Sequence, residues 1–157
     1  VSVQTAGDDS ALIGLVPGDE NPQYVDGSGD TIALNFDQLN MNATTEADDV
    51  FRIVNNSTRK VEIDLDIVDN GLPPDLEVAI DGGLNGFAQV QEGDPTSESN
   101  YAFVRFNLEH DPDSNATAAS LGSGEEVSVE VVFKDRDQTL DVSEAFNFEL
   151  EIIAERV

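Results

Sequence analysis

Apolar and polar residues alternate along most of this chain, a pattern that is typical of β-strands with one buried face. The alternation is strongest in residues 61–67, 127–133 and 146–152, where every second residue is apolar. Most residues between them are acidic or polar, as an antiparallel sheet with one solvated face requires. Weaker alternation predicts further strands at residues 31–36, 50–55, 76–80, 87–91 and 101–108.

Short segments rich in Gly, Asn, Asp and Pro separate these strands and predict tight turns. Turn signals that return regularly between short strands are the pattern of a β-sandwich or barrel. No window has the 3.6-residue period of an amphipathic helix, although a short helix or turn is expected near residues 39–47 or 114–121. The sequence therefore predicts an all-β protein.

The chain is strongly acidic, with 33 Asp and Glu against 7 Lys and Arg and a formal net charge of -26. Self-repulsion of this size destabilises a compact chain unless solvent ions screen it. At about 1 M salt the screening length falls to about 3 Å, from about 8 Å at physiological ionic strength. We interpret the charge as an adaptation to molar salt. A disordered tail and an acidic partner for a basic protein are the alternatives, but 39% of the residues are apolar and they alternate, which argues against disorder.

Residues for the common kinds of catalysis are few. The chain has no Cys, which excludes disulfides, thiolate metal sites and a cysteine nucleophile. Its one histidine, His110, has no Gly-x-Ser-x-Gly nucleophile turn to work with, and one histidine does not make the usual zinc site. We expect His110 to be a loop residue and the protein not to be an enzyme. Nucleic acid is not expected as a partner, because the few cations are scattered over an acidic chain.

Calcium is the metal for which the sequence offers a candidate loop. Ca²⁺ takes oxygen ligands from carboxylates and carbonyls, and Asp111, Asp113 and Asn115 have the one-three-five spacing of a calcium loop. The rest of that motif is missing, because position six is Ala116 and position twelve is Gly122. These three residues are the metal candidates, and no other cofactor is expected.

Several features predict export from the cell. The chain begins at Val1 and not at Met, so either the chain has been shortened or Val1 is the mature end left after removal of a signal peptide. No apolar run approaches the roughly 18 residues that would span a membrane. Sequons for N-glycosylation occur in predicted turns or strand ends, where the acceptor is expected to be exposed. The candidate glycosylation sites are Asn42, Asn55, Asn56 and Asn115. We therefore expect an extracellular or cell-surface protein with no membrane span.

The first 16 residues form a separate part of the pattern. A short uncharged strand is followed by a flexible joint at residues 7–10 and by a compact apolar run at residues 11–16. An uncharged terminal strand on a hinge is suited to leave its own domain and to pair with the next subunit, since open sheet edges accept such strands. We therefore divide the chain into a donor segment with its hinge, residues 1–16, and a single β-sandwich domain, residues 17–157. An ordinary edge strand is the alternative. The candidate donor residues are Val1, Ser2, Val3, Gln4, Thr5 and Ala6.

Four segments together resemble a known group of proteins. They are residues 7–15 (GDDSALIGL), 49–57 (DVFRIVNNS), 121–133 (LGSGEEVSVEVVF) and 146–154 (FNFELEIIA). In this order they resemble a family of small secreted haloarchaeal proteins, and the layout is similar to the TasA and camelysin group of biofilm-matrix proteins and to archaeal bundling pilins. The resemblance implies an antiparallel jelly-roll-like β-sandwich that is secreted and assembles outside the cell. In those relatives an N-terminal strand of one subunit completes the sheet of its neighbour.

The functional hypothesis from the sequence is a structural subunit of an extracellular filament, a pilus or a biofilm-matrix fibre, of an extreme halophile. Its main partner is expected to be itself, in a head-to-tail homopolymer formed by donor-strand complementation. Contacts with the cell surface or with neighbouring filaments are expected in addition. The alternative is a monomeric cell-surface binding or adhesion module that recognises a glycan or an S-layer protein.

Overall fold

The computed structural model describes residues 1–7, 9–35, 45–68, 76–81, 87–92, 102–109, 120–135 and 148–156. In these ranges the backbone forms β-strands and two 3-10 turns, Ser10–Leu12 and Pro22–Tyr24, and no α-helix. The prediction of an all-β protein is confirmed. The strands are β1 (Ser2–Ala6), β2 (Ile13–Pro17), β3 (Val25–Asp26), β4 (Thr31–Leu34), β5 (Thr45–Asn55), β6 (Val61–Val68), β7 (Leu76–Asp81), β8 (Phe87–Glu92), β9 (Ala102–Glu109), β10 (Ser120–Leu121), β11 (Glu126–Asp135) and β12 (Glu149–Arg156).

The strands form two six-stranded sheets that enclose one apolar core. The order of strands is β10-β6-β12-β1-β4-β3 in the first sheet and β2-β5-β11-β9-β8-β7 in the second sheet. The described strand pairs are antiparallel except for β1 and β12, which run parallel. The molecule is therefore a β-sandwich, and the jelly-roll order of its connections stays a prediction.

The alternating residues place their apolar side chains in the core and their acidic side chains in solvent. In β6, Val61 and Ile63 are buried, whereas Glu62 and Asp64 are exposed. In β12 the same alternation buries Leu150 completely. Burial of one such aliphatic side chain stabilises a fold by about 1.5–3 kcal/mol. The two-residue period seen in the sequence thus supplies the core that holds the sheets together.

The two expectations of a short helix or turn are wrong for the residues that the structure describes. β5 begins at Thr45, and Ala47 of this strand pairs with Val131 of β11. Ser120 and Leu121 form β10, which pairs with β6. In both places a strand distant in sequence provides the hydrogen-bonding partner, and such tertiary pairing overrides local preference. Residues 39–44 and 114–119 lie outside the described residues.

Candidate functional site

The opening strand β1 lies inside the first sheet of its own chain, between β12 and β4. Val3 is the register partner of Leu150 on β12 and of Ile32 on β4. All three side chains are buried, and Val3 is 0% exposed. β1 therefore folds back into the sheet of its own chain, as the alternative to strand donation expects, but it lies in the interior of the sheet and not at the edge. We call the space between β12 and β4 that β1 fills the β1 slot.

The outward face and the start of β1 are held by polar contacts. Nε2 of Gln4 donates to Oε1 of Glu151 on β12 at 3.4 Å. At the start of the strand, the backbone N–H of Leu34 donates to the carbonyl oxygen of Val1 at 2.8 Å. The β1 slot therefore recognises its strand by main-chain pairing and by one apolar anchor, Val3, the one buried side chain of β1.

The joint after β1 is fastened to the end of β12. Gly7 has a φ of +93°, a conformation that favours glycine, and a Cβ at this position would lie 2.9 Å from the carbonyl oxygen of Ala154. Asp9 accepts hydrogen bonds from the backbone N–H of Arg156 at 2.9 Å and from its Nε at 3.0 Å. The side chain of Arg156 is 50% exposed, and exposed ion pairs contribute only about 0–1 kcal/mol and weaken in salt. Molar salt thus weakens a contact that keeps the joint closed.

Residues 1–16 belong to both sheets of the single chain. They include β1 in the first sheet and most of β2 at the edge of the second sheet, and Val3, Ile13 and Leu15 contribute to the core. On the outer side of β2, Leu15 and Gly29 exchange two backbone hydrogen bonds of 2.9 Å. In the single chain, residues 1–16 are therefore part of the sandwich. The predicted division at residue 16 into a donor segment and a domain applies only to subunits that exchange β1. It stays a prediction, because a single chain has no second subunit with which to exchange a strand.

Arg52 is the centre of a second polar cluster, beside a bulge in the pairing of β5 with β11. Its Nε and Nη2 atoms lie 2.9 and 2.7 Å from the two carboxylate oxygens of Asp49. Nη2 also lies 3.1 Å from Asp19, and Nη1 bonds to Glu126 of β11. Gly18 approaches so closely that a Cβ there would lie 1.8 Å from the carbonyl oxygen of Asp49. The cluster ties the segment after β2 to both β5 and β11, and no pattern in the sequence predicts it.

The environment of Asp49 is expected to make the stability of the fold depend on pH. Its hydrogen bonds with Arg52 hold the pKa of Asp49 below the ordinary value, although burial acts in the opposite direction. A carboxyl group with a lowered pKa in the folded state stabilises the fold above its unfolded pKa of about 3.9, and this stabilisation is lost as the pH falls through the folded pKa. We expect Asp49→Asn to lower the free energy of unfolding by about 1–3 kcal/mol at neutral pH. In denaturant unfolding at a series of pH values, the difference from the parent protein should shrink as the pH falls below about 4.

The neighbouring Asp48 provides the control. Its pKa is raised, first by a hydrogen bond with Glu130 and then by desolvation and by nearby negative charge. The effect of Asp48 on stability is therefore opposite to that of Asp49. The charged form of Asp48 destabilises the fold, and this destabilisation disappears as the pH falls. Asp48→Asn should not destabilise the protein at neutral pH. Equal losses for Asp48→Asn and Asp49→Asn would contradict a specific role of the contact between Asp49 and Arg52.

The predicted metal candidates and the single histidine lie outside the part of the chain that the structure describes. This holds for Asp111, Asp113 and Asn115 of the calcium loop and for His110. Within the described ranges, no three or more His, Asp or Glu side chains are grouped so as to hold a metal ion. No helix among the same residues is long and apolar enough to cross a bilayer. Calcium binding by the 111–115 loop stays a prediction.

The adjacent glycosylation candidates Asn55 and Asn56 have opposite environments. Asn55, the last residue of β5, is 0% exposed, whereas Asn56 is exposed. The expectation that Asn55 is an exposed acceptor is wrong, because its side chain turns into the fold at the end of the strand. The other two candidates, Asn42 and Asn115, lie outside the described residues.

The geometry thus gives two places with distinct chemistry. The β1 slot selects a strand by backbone pairing and by the Val3 anchor, and the Arg52 cluster joins three carboxylates to one guanidinium. A scan against protein-family models and searches of curated proteins and of solved structures found no match for this chain.

Proposed function

We propose that this protein is the structural subunit of an extracellular filament and that it polymerises by exchanging β1 between subunits. The observation that carries the proposal is the position of β1, an uncharged strand that lies inside a sheet between β12 and β4 and buries a single side chain. The departure of β1 leaves unpaired main-chain groups on both β12 and β4, and such edges recruit a new strand.

The contacts of β1 favour an identical strand as the replacement. An incoming β1 reproduces the register of Val3 against Leu150 and Ile32, so the closed and the exchanged states contain the same contacts within the β1 slot. The free-energy difference between these states then depends on the joint and on new contacts between subunits, as in domain swapping. Val3 is the one buried side chain of β1, so the strand loses a single core anchor while it moves.

The charge distribution favours assembly in concentrated salt. The chain has a net charge of -26, and the outer face of the first sheet carries acids such as Glu62 and Asp64. β1 has no charged side chain, so it joins a neighbouring sheet without adding repulsion there. At about 1 M salt the screening length of about 3 Å limits repulsion between subunits. Head-to-tail exchange does not close on itself, and it therefore extends into a fibre.

A disulfide between β1 and β12 distinguishes closed from exchanged chains. The chain contains no Cys, and Gln4 and Glu151 are register partners on neighbouring strands. Neighbouring strands lie about 4.8 Å apart, which is within the range of a disulfide. The double variant Gln4→Cys/Glu151→Cys is assembled in molar salt under reduction, imaged by negative-stain microscopy and then oxidised. Denaturing electrophoresis without reductant follows, with Gln4→Cys alone as the control.

The expected result is filaments whose chains form a ladder of covalent multimers. Oxidation before assembly should instead link each chain to itself and prevent filament formation. Filaments in which every chain is linked only to itself would show that β1 is not exchanged. If neither the reduced variant nor the parent protein forms filaments in molar salt, the proposed function itself is wrong.

A further inference from the structure

We propose that Asn56 carries an N-linked glycan and that the adjacent Asn55 is excluded from this modification by its structural role. The inference is independent of filament assembly and requires only that the protein is exported. Both residues begin a sequon, Asn55-Asn56-Ser57 and Asn56-Ser57-Thr58. The two sequons overlap, but in the fold Asn55 is buried and Asn56 is exposed.

The side-chain amide of Asn55 is used completely within the fold. Its Nδ2 lies 2.6, 3.0 and 3.0 Å from the carbonyl oxygens of Arg59, Leu121 and Gly122, which share its two N–H donors. Its Oδ1 accepts hydrogen bonds from the backbone N–H of Ser57 at 3.0 Å and from the hydroxyl group of Ser57 at 2.7 Å. Asn55 therefore joins the end of β5 to the turn that follows it and to the segment between β10 and β11.

Glycosylation of Asn55 would destroy this network. In the transfer, the amide Nδ2 attacks the anomeric carbon of a sugar carried on a lipid-linked phosphate. The new C–N bond forms as the C–O bond to the phosphate breaks, the phosphate leaves with the electron pair, and one Nδ2 proton passes to a base of the transferase. Nδ2 would keep one of its two N–H donors for three carbonyl acceptors. The sugar would also need space where the side chain is 0% exposed, so the folded chain excludes it.

Asn56 presents its side chain at the surface of the same turn. Its backbone N–H donates to the carbonyl oxygen of Leu12 at 2.9 Å. This hydrogen bond holds the main chain of Asn56 in place without using the side chain. The Asn56 side chain is exposed, and so is Thr58, the hydroxyl residue that completes its sequon. Nδ2 of Asn56 lies over Gly14 of the edge strand β2, where a Cβ would lie only 2.9 Å away. Asn56 and Thr58 are therefore both at the surface, and Nδ2 becomes accessible when the Asn56 side chain turns away from Gly14.

Thr58→Ala separates the two sequons. The substitution removes the hydroxyl residue of the Asn56 sequon and leaves Asn55-Asn56-Ser57 intact. The parent protein and the variant are secreted from cells that have an N-glycosylation pathway. Each carries an appended flexible tail with an Asn-Ala-Thr sequon, whose occupancy shows that the cells modify the chain. Peptide mass mapping of the folded, secreted protein then measures occupancy at each Asn.

We expect a glycan on Asn56 in the parent protein, its complete loss in Thr58→Ala, and an unmodified Asn55 in both. An unmodified Asn56 in a parent protein whose tail is occupied would overturn the proposal. A glycan on Asn55 of the folded protein would overturn it equally. If Thr58→Ala does not fold, occupancy of the two residues in the parent protein decides the question.

Discussion

Replacement of Val3 by Asp is expected to lower the free energy of unfolding of the single chain by about 3–5 kcal/mol. Val3 is 0% exposed and lies between Leu150 and Ile32. A carboxylate in this position loses its hydration among apolar side chains and finds no cation there to compensate. Denaturant unfolding in molar salt measures the loss. The same variant should form no filaments, because its strand fits neither its own β1 slot nor that of a neighbour.

Gln4→Asp is the matched control for this prediction. It introduces the same charged group one residue later, on the face of β1 that contacts Glu151 at the outside of the sheet. A solvated carboxylate beside another acid should cost less than about 1 kcal/mol. Equal losses for Val3→Asp and Gln4→Asp would show that Val3 does not anchor the strand in the β1 slot.

The second large effect is expected at Asn55, where Ala should lower the free energy of unfolding by about 3–5 kcal/mol. The substitution removes the hydrogen bonds of Nδ2 to three carbonyl oxygens and those of Oδ1 to Ser57. Leu121 accepts one of these bonds, and it is itself buried. Each buried polar group left without a partner costs about 1–3 kcal/mol. Urea unfolding monitored by circular dichroism measures the effect.

Asn56→Ala is the control at the adjacent position. The side chain of Asn56 is exposed, and the hydrogen bond from its backbone to Leu12 does not depend on the side chain. A change of less than about 0.5 kcal/mol is therefore expected. A loss at Asn55 as small as that at Asn56 would contradict the structural role assigned to the Asn55 amide.

The sequence predicted strands well where apolar residues occupy every second position, and it failed where acidic residues occupy part of a strand. β6 was predictable because its apolar residues fall on every second position. The start of β5 was predicted too late, at residue 50, although the strand begins at Thr45. Here the register against β11 shifts between Val129 and Val131. The bulge keeps the alternation in phase, since Ala47 and Phe51 are both buried, but Glu46, Asp48 and Asp49 occupy this part of the strand and hide it from the apolar pattern.

The sequence predicted that the residues of the candidate site form a strand and a turn, but it did not predict which distant residues they contact. The uncharged residues 1–6 indicated a strand, but no local signal shows that Val3 packs beside Leu150. Asn55 and Asn56 are identical residues in overlapping sequons, but the two-residue period of β5 places Asn55 on the buried face with Phe51 and Ile53. The distant partner of its amide, the carbonyl group of Leu121, had no local signal. Strand register across the fold determines both contacts.

The adjacency of β1 and β12 also sets the order in which the molecule can be completed. Gln4 and Glu151 meet although they are 147 residues apart in the chain. Closure of so long a loop has a high entropic cost, and pairings of this kind form late in folding. Synthesis at about 5–20 residues per second delivers the last strand about 7–30 s after the first. During that interval β4 is the partner that the first sheet offers to β1, and the edge of β1 that later pairs with β12 stays open.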